Sequence, residues 1–79
     1  MAPIHDAAAK GNVPALEAQL DKGEDVDVRD EDQWTAFHFA CFHNKPECAR
    51  TLLRRGADPN AKNKYQATPL HFACSFGAI

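Results

Sequence analysis

Seventy-nine residues, 44% hydrophobic and 25% charged with a formal net charge of −2, describe one small globular domain. The apolar content excludes a disordered chain, and no apolar run nears the roughly 20 residues that a bilayer-crossing helix needs. Cys41, Cys48 and Cys74 cannot all pair within one chain, and "MAPIHDAAAK" lacks the basic start and apolar centre of a secretion signal. Free thiols and an intracellular address, cytoplasmic or nuclear, are the expectation.

One lag organises the chain. His5, His38 and His71 recur every 33 residues, and so do Ala7, Ala40 and Ala73. Leu20 and Leu53, Gly23 and Gly56, and Asp25 and Asp58 keep the same spacing. Such self-similarity predicts about two and a half copies of one unit within a single domain, 1–79. The units span 1–29, 30–62 and 63–79, the last incomplete.

Each unit reads as two short helices and a loop. In the first, Pro14 opens a helix carrying Ala15, Leu16 and Leu20, and Gly23 closes it. Its loop runs into "DKGEDVDVRDED", the densest acidic stretch. Residues 1–40 hold nine acids and three bases, whereas residues 41–79 hold two acids and six bases. A solvated loop is one reading of that stretch; steering of a basic partner, or head-to-tail self-contact, is the sharper one.

In the second unit, Thr35 is a natural N-cap, followed by "AFHFACFH" with Phe37, Ala40 and Cys41 at helical spacing. Asn44 and Lys45 turn the chain, and Pro46 sits at a first helical position. "PECARTLLRR" then places Cys48, Ala49, Leu52 and Leu53 on one stripe, with Arg54 and Arg55 at its negative end. Gly56 suits a left-handed cap, and "ADPNAKNKYQA" is a polar loop. The third unit begins with Thr68 and Pro69 and stops at "SFGAI".

"TPLHFACSFGA" and "LLRRGADPNAKNKYQATPLH" resemble the ankyrin repeat, a helical repeat of this period with a T-P-L-H-x-A signature. The resemblance covers nearly the whole chain. Thr68, Pro69, Leu70, His71 and Ala73 match the signature, and Gly56, Ala57, Asp58 and Asn60 match the family's turn. Ala36 stands in place of the family's proline, and Gln33 and Asn44 in place of glycines. The resemblance implies an all-α solenoid with β-hairpin or loop fingers, and a concave face that binds proteins without catalysis. It also implies that His38 and His71 hydrogen-bond backbone groups and tie neighbouring units together, with His5 doing so less well.

His38 with Cys41, and His71 with Cys74, have the i, i+3 spacing of paired zinc ligands. Zinc requires tetrahedral sets of four, and the first copy has Ala8 at the cysteine position. Successive units would hold the two pairs about 10 Å apart, the separation of packed helices. Cysteine here therefore reads as a small buried hydrophobe, and neither metal nor other cofactor is expected. No third group orients a Cys–His pair for catalysis, and no Gly-rich phosphate loop is present. From Asp25 the sixth and twelfth residues are Asp30 and Ala36, which breaks the calcium-loop pattern. Arg50, Arg54, Arg55, Lys62 and Lys64 make no strong nucleic-acid footprint.

The resemblance places the partner-binding residues on the fingers and the exposed sides of the first helices. Asp32 and Trp34 lie on one finger and Lys64 and Tyr65 on the next, with Phe42, His43 and Phe76 on the helices. Aromatic residues among polar neighbours are the usual anchors of interfaces. The alternative for Phe42 and Phe76 is packing within the stack. At the carboxyl end the third unit is expected to lack its second helix, leaving Leu70, Phe72, Cys74 and Ile79 uncovered. Self-association through that end, into a homodimer or higher oligomer, is the alternative function; a continued chain or a refolded end would also cover it.

Overall fold

Four helices follow in order: α1 (Pro3–Lys10), α2 (Val13–Asp21), α3 (Ala36–Phe42) and α4 (Pro46–Arg54). The computed structural model describes residues 3–69. Each pair, α1 with α2 and α3 with α4, is an antiparallel hairpin. The hairpins stack so that α1 meets α3 and α2 meets α4, giving two helical layers.

The start signals act as their chemistry dictates. Asn12 caps α2 by accepting from Ala15 N at 3.2 Å, with Pro14 in the first turn. Thr35 and His38 form a reciprocal box at the start of α3. Pro46 opens α4, whose N-cap Lys45 makes no side-chain cap bond.

The bonds that close each helix recur at the repeat lag. Asn12 N donates to Ala7 O at 2.9 Å, and Lys45 N to Ala40 O at 2.7 Å. Glu24 N donates to Gln19 O, and Ala57 N to Leu52 O. These are six-to-one helix-ending bonds, which need a left-handed residue just before the donor. Gly11 (φ 74°) and Asn44 (φ 53°) supply it between the helices. Asparagine is the non-glycine residue that enters this region most readily, so its replacement of glycine leaves the turn intact.

The core lies between the layers. Ile4, Ala7, Ala8, Leu16, Ala36, Phe37, Ala40, Cys41, Cys48, Ala49 and Leu52 are buried there. Small residues on α1 and α3 let the helices approach closely, while Phe37, Ile4, Leu16 and Leu52 fill the remaining volume. Leu53, placed by sequence on the same stripe, is only partly buried at the core's edge.

The loops differ from the β-hairpin form among the expected fingers. No strand is assigned among the described residues. The first finger closes through Asp30 N to Trp34 O and Gln33 N to Asp30 O, both 3.0 Å. The returning Trp34 N–H donates to the Asp30 carboxylate at 2.9 Å instead of to a backbone carbonyl. A ladder therefore does not propagate, and the finger remains a side-chain-capped turn. Leu70, Phe72, Cys74, Ser75, Phe76 and Ile79 lie outside the described residues, and with them the expectations for the third unit's helices and the carboxyl-terminal interface. The residues one period before Leu70 and Cys74, Phe37 and Cys41, are wholly buried in the middle unit.

Candidate protein-interaction face

The two described fingers are built alike. Asp30 Oδ1 accepts from Asp32 N and Trp34 N, both at 2.9 Å. Asn63 Oδ1, 33 residues later, accepts from Tyr65 N at 2.8 Å and Ala67 N at 3.0 Å. Gln33 and Gln66 follow with φ of 66° and 68°. A short polar residue opening each turn satisfies the amides that the turn exposes.

Three contacts lock one finger to the next. Lys64 N donates to Asp32 O at 3.0 Å. The Lys64 ammonium lies 2.8 Å from the Asp32 carboxylate, which raises the lysine pKa chiefly through that hydrogen bond. The Arg29 guanidinium donates to Gln33 O at 3.1 Å and Lys62 O at 2.7 Å. Two of the expected partner-binding residues, Asp32 and Lys64, thus hold each other. Farther along the stack, Asp58 N donates to the Asp27 carboxylate and Arg55 pairs with Asp21 at 2.7 Å.

The buried histidine of the middle unit joins α3 to the next loop. His38 Nε2 lies 3.0 Å from Ala67 O, and Nδ1 accepts from Thr35 N at 3.1 Å. A carbonyl only accepts and an amide only donates, so the proton sits on Nε2 and the ring is neutral. Burial lowers the His38 pKa, against the opposing pull of the Ala67 bond. His5 departs from this pattern. Its Nε2 meets Val28 O at 2.9 Å, within its own unit, and its buried Nδ1 has no hydrogen-bond partner.

Above these histidines lies an aromatic cluster. Trp34 stands at the base of the first finger, half-buried, with ring centroids 5.7 Å from His38, 5.0 Å from Phe39 and 5.4 Å from Phe42. Phe39 also meets His5 at 5.2 Å and stacks on His43. Phe42 contacts His43 edge-on yet remains 55% exposed, and Tyr65 on the second finger is 67% exposed. Trp34, Phe42 and His43 are therefore contiguous, and the Asp32–Lys64 pair links them to Tyr65. Phe76 is outside the described residues.

Phe39, the residue on which the cluster is built, and Arg29, which staples the fingers, were absent from the sequence-derived set. The lag itself carried a signal for Arg29, because it reaches a carbonyl 33 residues away.

The thiols are part of the packing. Cys41 and Cys48 are buried, and burial raises the Cys48 pKa. Cys48 Sγ faces Ala7 O at 3.9 Å. His38 has both ring nitrogens engaged by Thr35 and Ala67, so it does not present a lone pair beside Cys41 for a metal. Among the described residues no three His, Cys, Asp or Glu side chains converge.

The fold has counterparts among known proteins. The family model for ankyrin repeats in three copies matches residues 4–79. Ankyrin repeat and SOCS box protein 3 of Bos taurus is 46% identical over 48 residues, 61% of this chain and 9% of that protein. Protein phosphatase 1 regulatory subunit 27 of Mus musculus is 38% identical over 53 residues, 67% of this chain and 34% of that protein. The crystal structure of the human ASB11 ankyrin repeat domain matches with a TM-score of 0.84 at 34% identity, covering 89% of this chain and 32% of that one. The chain spans about a third or less of each of these relatives. With its units stacked at a 33-residue lag and matched from residue 4 to its end, the chain belongs to the ankyrin-repeat family.

Proposed function

We propose that this chain is a non-catalytic interaction module that holds a partner protein against its fingers and the exposed side of α3. The observation that carries the reading is the solvent exposure of Phe42 and Tyr65, the two exposed large hydrophobic side chains among the described residues. Phe42 borders the Trp34 and His43 rings, and Tyr65 lies beside the Asp32–Lys64 pair. Aromatic anchors within a polar rim are what a binding surface requires. The names of the phosphatase regulatory subunits among the relatives support a role in holding a partner rather than transforming it.

Affinity capture with wild type beside Phe42→Ala and Tyr65→Ala tests the reading. Proteins retained by wild type are expected to be lost from both variants. Retention unchanged in both would remove this face from the function.

A further inference from the structure

Within the interaction role proposed above, on which this step rests, we infer that the first finger and α3 receive a cationic segment of the partner polypeptide. An arginine side chain lies against Trp34 and Phe42, its guanidinium facing the carboxylates of Asp30 and Glu31.

The charge around the face sets the class of partner. Residues 24–32 hold six carboxylates and one arginine. Among the described residues only Asp32 of these six has a cation in salt-bridge contact, Lys64 at 2.8 Å. Arg29, the one base in the stretch, is held by the carbonyls of Gln33 and Lys62. The Asp30 carboxylate is fixed 2.9 Å from Trp34 N and acts electrostatically on His38, whose ring contacts Trp34. It therefore adjoins the aromatic cluster rather than trailing into solvent, and Glu31 follows it at the exposed tip.

A guanidinium gains from both surfaces at once. Aromatic faces attract cations, tryptophan most strongly, and carboxylate oxygens accept charge-assisted hydrogen bonds from the guanidinium N–H groups. An acidic segment would instead meet like charge. The second finger already contains the arrangement in miniature. Lys64 Nζ sits 2.8 Å from the Asp32 carboxylate and 5.4 Å from the Tyr65 ring centroid. The first finger offers the same combination of ring and carboxylate to a cation from outside.

The repeat supplies its own control. Asn63 closes the second finger with the same two bonds that Asp30 makes in the first. Asp30→Asn therefore removes charge while keeping the turn, and Glu31→Gln does the same at an exposed site. The full chain is used to select binders from a random displayed-peptide library. The best peptide is then titrated against wild type, Phe42→Ala and the Asp30→Asn/Glu31→Gln double variant, following fluorescence of the single tryptophan. Selected peptides are expected to be enriched in arginine. Both the double variant and citrulline in place of arginine should weaken binding by at least about tenfold, with an unchanged melting temperature. Peptides that need Phe42 but bind the double variant undiminished, or that lack basic enrichment, overturn the cationic assignment and leave the face standing. A library yielding no peptide dependent on Phe42 overturns both.

Discussion

His38 donates through Nε2 to the carbonyl oxygen of Ala67 at 3.0 Å, across 29 residues of chain. Its other nitrogen accepts from the amide of Thr35, the cap of its own helix. One neutral imidazole thus joins a helix start to the next unit's loop. Both partners are backbone groups, and losing the ring orphans one donor and one acceptor. His38→Ala is expected to cost about 2–4 kcal/mol. His5→Ala, which releases a single bond, should cost less. Urea melts of the two variants measure the difference, and equal losses would contradict the assigned role.

The same geometry gives stability a pH dependence. Burial holds the folded-state pKa of His38 below its ordinary 6.5. The unfolded chain therefore binds the proton first as pH falls. The contribution is complete above about pH 6.5 and is lost as pH drops from there through the folded value. Melting temperatures recorded across that window should fall more steeply for wild type than for His38→Gln. Parallel curves would assign the effect to other groups.

Leu52 and Leu53 are adjacent in sequence but unequal in packing. Leu52 is wholly buried between the layers, while Leu53 lies at the margin. Leu52→Ala should cost about 2–5 kcal/mol and Leu53→Ala distinctly less. Denaturant midpoints at constant m-value report both, and the reverse order would mean that the helix is rotated on its axis.

Cys41 and Cys48 are sealed from solvent, and burial further suppresses the Cys48 thiolate. Alkylation by iodoacetamide should therefore follow opening of the fold and accelerate with urea. Rapid labelling of either thiol in the absence of denaturant, mapped by mass spectrometry, would contradict the packing.

Much of this architecture is legible in the residues alone. The lag of 33 identifies equivalent positions, Thr35 and Pro46 mark helix starts, and Gly23 and Gly56 mark ends. The acidic loop reads more finely in three dimensions, where Asp25, Asp27 and Asp30 cap backbone amides. Contacts between units were harder to anticipate because they depend on how the stack is registered. Once known, the register is simple: Asp27 with Asp58, Arg29 with Lys62 and Asp21 with Arg55 are separated by 31, 33 and 34 residues. The lag of 33 points directly to Arg29 with Lys62, whereas the other two pairs are offset from it by one or two residues. Phe39 carried no such cue, since its partners Trp34, His5 and His43 meet it by side-chain direction. The half-buried setting of Trp34 follows from that packing, so its replacement should disturb stability as well as binding, which makes Phe42 the cleaner probe.

Hydrogen exchange with a captured partner bound tests the central claim most directly. The account predicts added protection in the fingers, residues 30–34 and 63–67, and at the carboxyl end of α3, with α2 and α4 unchanged. Protection gained mainly along α2 and α4 would place the partner on the opposite side of the stack and contradict it.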